Sequence, residues 1–326
     1  MTNREFLLKL KRAVNYDYID ADLYNSIEDY QAKGYRLDGR RSKRFVRMNG
    51  LLFSELINEL QRNPKTSYIT YANQVIKEGY IPTKLSCMIK KTDCVNFNDV
   101  DIDNPDLPFK EALASRILNL YECPTAHNII VKDMKSTSDN PFVSISVDMV
   151  SNDIVTFEDF RCRLGDNLAK NIRVLQQQLP KHAEKNGIPL HLINQNMPKI
   201  IEDYAYSYLI RRLILRDGDF FEENCGLLVG DDQLQFVNFD YESSLNLYGS
   251  APNKTQALNV VRTQLPNVYK KFSKTTKQLH DGLDILVKDN SINWIDNDHR
   301  YNIKVLKNNV WQTVNTCRAM DMFSLK

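Results

Sequence analysis

Glycine is scarce in this chain, with 11 residues in 326. The sequence contains neither G-x-G-x-x-G nor the Walker pattern, the two glycine-rich motifs with which many nucleotide-binding folds hold phosphates. Sequence motifs therefore give no support for a dinucleotide-binding fold or a P-loop fold. A phosphate site in this protein would have to be built from other loops.

Paired cysteines are also absent. The six cysteines are scattered and form no C-x-x-C motif, and the five histidines are dispersed without metal-ligand spacing. This pattern argues against a structural zinc site and indicates free thiols in a reducing compartment.

Long apolar runs and an excess charge of one sign are missing as well. No apolar run approaches the ~18 residues of a membrane-spanning helix, and the short apolar patch near the N-terminus is interrupted by charges, unlike a signal peptide. With 43 basic and 41 acidic residues the formal net charge is +2, which gives no electrostatic basis for nucleic-acid or membrane-surface binding. We therefore expect a cytoplasmic protein with neither a membrane nor a nucleic acid as partner.

The remaining pattern predicts an α+β protein of three parts. Residues 1–75 are interpreted as a mostly helical N-terminal segment, with helices expected at Tyr18–Lys33 and Leu51–Leu60. Residues 76–150 combine strand-like runs with a helix carrying Leu113, Ile117 and Leu120 on one face. Residues 151–326 are mainly helical around one short hairpin. The expected strands of the last two parts are Ile81–Lys91, His127–Val131, Phe142–Met149, Gly226–Val229 and Leu234–Phe239.

The segment LRDGDFFEENCGLLVGDDQLQFVNFD, Leu215–Asp240, carries residue types suited to phosphoryl transfer. That reaction needs an acceptor for the hydroxyl proton, oxygen ligands for Mg²⁺ and a cation on the phosphates. Asp219 is followed after four residues by Asn224, and Asp240 comes sixteen residues later at the end of a predicted strand. The intervening hairpin would bring Asn224 and Asp240 together, and Gly218 would permit a tight backbone before Asp219.

Arg216-Asp217 suggests a competing choice of base. Asp217, however, has Glu222 rather than Asn at the offset that Asp219 has to Asn224. We therefore prefer Asp219.

Two stretches resemble the HipA-like kinases within the protein-kinase-like phosphotransferases. Residues 111–125 resemble a helix of that family, and within residues 215–242 the sequences Asn224–Leu228 and Phe239–Glu242 resemble its N-x-G-x-L and F-D-x-E motifs. The resemblance implies a bilobal kinase-like fold, ATP and Mg²⁺ as cofactors, Asp219 as catalytic base, and Asn224 and Asp240 as metal ligands. Phe221 departs from the family, which commonly has His there.

The resemblance also implies a strand lysine that contacts the phosphates and pairs with a helix glutamate. Glu111 is the candidate glutamate, with Lys90 or Lys91 as the lysine; strand alternation allows only one of the two to face the cleft. A lower-ranked alternative uses a strand Phe45–Arg47 with Glu55, but its lysine, Lys43, is expected to precede that strand. The backbone groups of residues 147–149, including those of Val147 and Met149, would contact adenine.

These expectations favour an ATP- and Mg²⁺-dependent kinase that phosphorylates Ser or Thr of a protein. A kinase-fold protein that binds without catalysis, a kinase for small molecules of the antibiotic-kinase type and a nucleotidyl transferase remain alternatives, because fold alone does not define the acceptor.

Overall fold

The computed structural model describes residues 2–15, 18–29, 41–48, 86–94, 107–123, 125, 128–137, 141–147, 154–230, 234–241, 244–245, 252–294 and 297–322. The predicted Leu51–Leu60 helix, Glu55 and Met149 lie outside these residues.

A six-stranded sheet forms the N-terminal part of the fold. The strands follow the order β1-β5-β6-β4-β3-β2, with β1 and β5 parallel and the other neighbours antiparallel. Their bounds are β1 Tyr18–Ala21, β2 Ile27–Asp29, β3 Arg41–Met48, β4 Ser86–Cys94, β5 Asn128–Asp133 and β6 Phe142–Val147.

Three helices belong to this part of the chain: α1 (Asn3–Val14), the short α2 (Leu23–Ser26) and α3 (Leu107–Leu120). The predicted helix is confirmed as α3. Ala112, Leu113, Ala114, Ile117 and Leu118 are all fully buried, so the helix is apolar around most of its circumference. Such a helix belongs in a core, and α3 lies against β5 and β6 and against α1.

The C-terminal part is mainly helical around a small antiparallel sheet of order β7-β8-β9. The strands are β7 (Ile154–Thr156), β8 (Cys225–Val229) and β9 (Leu234–Asn238). The helices are α4 Leu168–His182, α5 Leu190–Tyr208, a π-helical stretch Leu209–Ile214, α6 Lys254–Gln264, α7 Pro266–Lys288 and α8 Asn297–Met322.

The predicted α+β class, with a smaller strand-containing part followed by a larger helical part, is confirmed by these elements. The predicted helix Tyr18–Lys33 is wrong: β1, α2 and β2 occupy residues 18–29. Tyr18 and Ile19 pair with β5 in register with Ile130 and Val131, and this strand pairing outweighs a local helical pattern. Since β1, β2 and β3 belong to the same sheet as β4, β5 and β6, the described part of residues 1–75 is not a separate helical segment.

None of the helices in the described part of the chain is long and apolar enough to cross a membrane.

Candidate functional site

The candidate site begins at the C-terminal end of α5, where the backbone changes from α-helical to π-helical. Ile201, Ala205, Leu209 and Leu213 are spaced four residues apart in the sequence and are all buried. The helix is not a continuous α-helix, however, because its backbone becomes π-helical over Leu209–Ile214. π-turns occur frequently at functional sites. Here the turn lies in the buried interior and carries Arg211 and Arg212, which are 0% and 2% exposed.

Arg211 joins three segments of the site. Its Nε donates to Asp217 Oδ2 at 2.7 Å, its Nη1 to the Phe239 carbonyl at 2.9 Å, and its Nη2 to the Asp240 carbonyl. The guanidinium also lies over the rings of Phe220 and Tyr241, 4.6 and 4.8 Å from their centroids. The buried charge is therefore paired and hydrogen-bonded, as burial of an ion requires.

Asp217 is committed to this network. Its side chain is fully buried against Arg211, its Oδ1 accepts the Asp219 N–H at 3.0 Å, and its carbonyl accepts from Arg212 Nη1 at 2.5 Å. Arg212 also pairs with Asp166, in the loop before α4. Asp217 thus positions the loop rather than facing an acceptor.

Asn224 and Asp240 lie at the same end of the β8–β9 hairpin. Cys225 is directly opposite Asn238, so the residues just before β8 and just after β9 are neighbours, and Phe239 N–H donates to the Asn224 carbonyl at 3.1 Å. Asn224 Nδ2 donates to the Asp219 carbonyl at 2.6 Å, which leaves Oδ1 as the accepting end of that amide. The structure therefore brings Asp219, Asn224 and Asp240 together.

The electrostatic surroundings of Asp219 reflect this clustering. Its pKa is raised, first by burial and then by the negative charges of Asp217 and Asp240, while Arg211 and the Asn224 amide oppose the shift. A carboxylate with a raised pKa is a stronger proton acceptor than an exposed one.

The donor set fits Mg²⁺ that is also held by phosphate and water. Asn224 supplies an amide oxygen and Asp240 a carboxylate, both hard ligands of the kind Mg²⁺ prefers. Within the described residues, no group of three His, Cys, Asp or Glu side chains could hold a metal by itself. One or two protein ligands completed by phosphates is the usual arrangement for this ion.

The tight backbone expected at Gly218 is found at other residues. A Cβ on Gly218 would meet no atom within 4 Å, and its φ is outside the left-handed range. Arg216 and Asp240 instead adopt left-handed backbone, with φ of 53° and 58°. The Asp240 conformation is fixed by Arg211 at its carbonyl and by Tyr241, whose hydroxyl donates to the Asn238 carbonyl at 2.6 Å.

The predicted nucleotide-binding residues include Glu111. This residue is fully buried in α3, and Asn128 Nδ2 donates to its Oε2 at 3.2 Å and to Ser144 Oγ at 3.3 Å. In backbone register Lys90 is directly opposite Ser144. Directly opposed residues share one face of a sheet, so Lys90, and not Lys91, is at the register position on the face of Ser144.

The lower-ranked alternative, in which Lys43 contacts the phosphates, is corrected at one point. β3 begins at Arg41, so Lys43 lies on the strand rather than before it and is directly opposite Lys90. The alternative assignment began this strand at Phe45, two residues after Lys43. Val147 is the last residue of β6, opposite Cys87.

Sequence reasoning did not single out Arg211 and Arg212. Their signal was two consecutive arginines within the apolar run Tyr208–Leu215. Arginine is rarely fully buried unless it is paired, so this run indicated a buried ion-pair partner for one of the downstream aspartates.

No family model matches this chain, and no curated protein matches it. Among solved structures, the chain is similar to a proinflammatory kinase, CtkA, of Helicobacter pylori. The sequences are 14% identical, the match covers 94% of this chain and 99% of that one, and the TM-score is 0.48.

Proposed function

We propose that this protein is an ATP- and Mg²⁺-dependent phosphotransferase that acts on a hydroxyl group, with Ser or Thr of a protein as acceptor. The observation that carries the proposal is the group of Asp219, Asn224 and Asp240, clustered at one end of the β8–β9 hairpin and fixed by the buried Arg211–Asp217 ion pair. It combines a proton acceptor with oxygen ligands, the two protein contributions that phosphoryl transfer requires.

Each residue has a separate task in this proposal. Asp219 accepts the proton of the acceptor hydroxyl. The hydroxyl oxygen bonds to the γ-phosphorus as the bond between that phosphorus and ADP breaks. Asn224 Oδ1 and the Asp240 carboxylate would hold Mg²⁺. When bound, Mg²⁺-ATP supplies the phosphoryl group and neutralises charge on the phosphates. Asp217 holds Asp219 by accepting its backbone N–H.

Lys90 is the preferred phosphate-contacting lysine. Its register position opposite Ser144 puts it on the sheet face where Asn128 connects Ser144 with the buried Glu111. A lysine–glutamate pair between strand and helix is the arrangement that holds the α- and β-phosphates in kinases. Lys43 occupies the neighbouring position in the same row and is the second candidate, followed by Lys91. Backbone groups at Val147–Met149 remain our proposal for adenine.

The test is incubation of the purified chain with Mg²⁺ and ATP labelled at either the γ- or the α-phosphate. We expect γ-label, but no α-label, to appear in protein, and Asp219→Asn to reduce the rate by at least about a hundredfold, within the usual contribution of a general base. Asp298→Asn, at an exposed aspartate of α8, is the matched control and should retain the wild-type rate.

Three results would contradict the proposal. Transfer of the α-label would indicate nucleotidyl transfer, and label confined to small acceptors would exclude a protein substrate. Nucleotide-induced thermal stabilisation without any transfer would indicate a binding protein.

A further inference from the structure

Two cations, Arg216 and Lys254, lie in segments that contact the same helix beside the candidate catalytic loop. Arg216 immediately precedes Asp217, and Lys254 begins α6. Among the described residues neither makes an ion pair, and Lys254 Nζ instead donates to the Gln312 side-chain oxygen at 2.8 Å. Two cations in the same neighbourhood, with no ion pair among the described residues, attract an anion that can reach both.

Helix α8 contacts Lys254 directly and the chain two residues before Arg216. Asn309 Nδ2 donates to the Ile214 carbonyl at 3.1 Å, two residues before Arg216, and Gln312 holds Lys254. Positions three apart on a helix share one face, so neighbouring side chains of α8 anchor the chain that carries Arg216 and the side chain of Lys254. The fold therefore holds the chain beside Arg216 and the side chain of Lys254 against one face of α8.

The charges act on each other. Burial, and then the positive charge of Arg216, lower the pKa of Lys254 to about 8. Among the described residues, Arg216 is the charged group that acts on Lys254, while the carboxylate of Asp217 is directed to Arg211. Arg216 also has left-handed backbone, with φ of 53°. This conformation is costly for a non-glycine residue and is concentrated at functional sites.

We propose that Arg216 and Lys254 form an anion-binding site that receives a phosphate or carboxylate group of the phosphoryl acceptor. The acceptor part of this inference rests on the proposed function. Arg216 is three residues from Asp219, a backbone span of at most roughly 11 Å. An extended acceptor chain with its hydroxyl at Asp219 therefore places an anionic residue at the site when that residue is within about three positions of the hydroxyl.

Anion binding is tested on the full chain, without catalysis, by NMR of carbon-labelled lysine side chains during titration with inorganic phosphate. We expect phosphate to shift the Lys254 resonance saturably and to raise the Lys254 pKa, because an anion stabilises the charged amine. The resonance of Lys270, an exposed lysine of α7, should not respond. A Lys254 resonance that is indifferent to phosphate would overturn the site.

Two variants separate the site from general effects on folding. Arg216→Asn keeps a residue that tolerates left-handed backbone and should raise the Lys254 pKa and weaken phosphate binding by about tenfold or more, as loss of a charged hydrogen bond implies. Gln312→Glu supplies an internal carboxylate and should raise the Lys254 pKa and block phosphate. Lys270→Gln should bind phosphate like the wild type. Unchanged phosphate binding in both site variants would refute the assignment.

The acceptor role is tested with serine peptides that carry glutamate or phosphoserine within about three positions of the acceptor, against neutral versions. The wild type should prefer the anionic peptides by about tenfold in kcat/KM, and Arg216→Asn should lose the preference. Equal kcat/KM for the anionic and neutral peptides would overturn the acceptor role. A Lys254 resonance that shifts only when the chain itself is phosphorylated would overturn it as well. Absence of transfer to any acceptor defeats the proposed function and the acceptor role, while the phosphate titration still decides the anion site.

Discussion

At the scale of single residues, the choice between Asp217 and Asp219 shows how burial separates two aspartates that are almost adjacent in sequence. Spacing to Asn224 favoured Asp219. The structure supplies the physical reason for their difference, because Asp217 is fully buried against Arg211 whereas Asp219 keeps part of its surface exposed. The arginine that distinguishes them is six residues upstream and was not identified from the sequence.

Arg211→Leu should destabilise the protein by about 3–5 kcal/mol, because it leaves the Asp217 carboxylate buried without its counter-charge. Urea unfolding measures this loss. Adding Asp217→Asn to the variant should recover part of it, since the uncompensated charge disappears. Arg173→Leu, at an exposed arginine of α4, is the control and should change the free energy of unfolding by less than about 0.5 kcal/mol. Equal losses in the two single variants would contradict the role given to Arg211.

Asp219 should reduce stability at neutral pH. Its pKa is raised in the folded state above the ordinary value of 3.8, so the unfolded chain ionises first as the pH rises, and this lowers the free energy of unfolding. Asp219→Asn should therefore be more stable than the wild type at pH 7, and the difference should shrink as the pH falls toward 3.8. Urea unfolding at several pH values measures it. An Asn variant that is less stable at pH 7 would show that the carboxylate is stabilised, not strained, in the fold.

At the scale of elements, the β8–β9 hairpin was predicted and β7 was not. The hairpin can be predicted because two short apolar runs flank residues typical of a tight turn. The structure confirms both strands. Three-residue β7 has no comparable local signal. It forms because Ile154–Thr156 pairs with Gly226–Leu228, a contact between segments about seventy residues apart.

Gly226→Ala tests that contact. A Cβ at this position would be 2.4 Å from the Val155 carbonyl oxygen and 2.8 Å from Thr156 Cα, and backbone atoms cannot move aside as a side chain can. We expect a loss of roughly 1–3 kcal/mol in unfolding free energy together with reduced transfer activity, because Asn224 lies two residues before Gly226. Gly165→Ala meets no atom within 4 Å and serves as the control. A fully stable and active Gly226→Ala protein would rule out the close approach of β7 and β8.

At the scale of the whole molecule, α1 connects the beginning of the chain to its C-terminal helices. Phe6, Leu10 and Val14 are buried in the same apolar core as α7 and α8. The Val14 carbonyl accepts from His299 at 2.8 Å, and the Asn15 side-chain oxygen accepts the Asn293 N–H at 2.7 Å. The amphipathic pattern of α1 was visible in the sequence, but its partners were nearly three hundred residues away.

Leu10→Ala should cost about 2–5 kcal/mol of stability, because Leu10 is fully buried and its removal leaves a cavity between α1 and α7. Leu8 is 56% exposed on the same helix, so Leu8→Ala provides a control of identical chemistry with a small effect. Thermal and urea unfolding of both variants measure the difference. If the two variants were equally stable, α1 would not be part of the core.

The sequence by itself determined the elements whose signals are local. The apolar periodicity of α3, the hairpin composition and the spacing of Asp219, Asn224 and Asp240 are all properties of short stretches. The structure has α3 and both strands of the hairpin. Their functional roles remain proposals. Only the tertiary structure decided what depends on distant contacts: that β1 and β3 join the main sheet, that α5 ends in a π-turn, and that Arg211 fixes Asp217 and Asp240 together. The reason is that strand pairing and the cost of burying a charge are set by partners far along the chain.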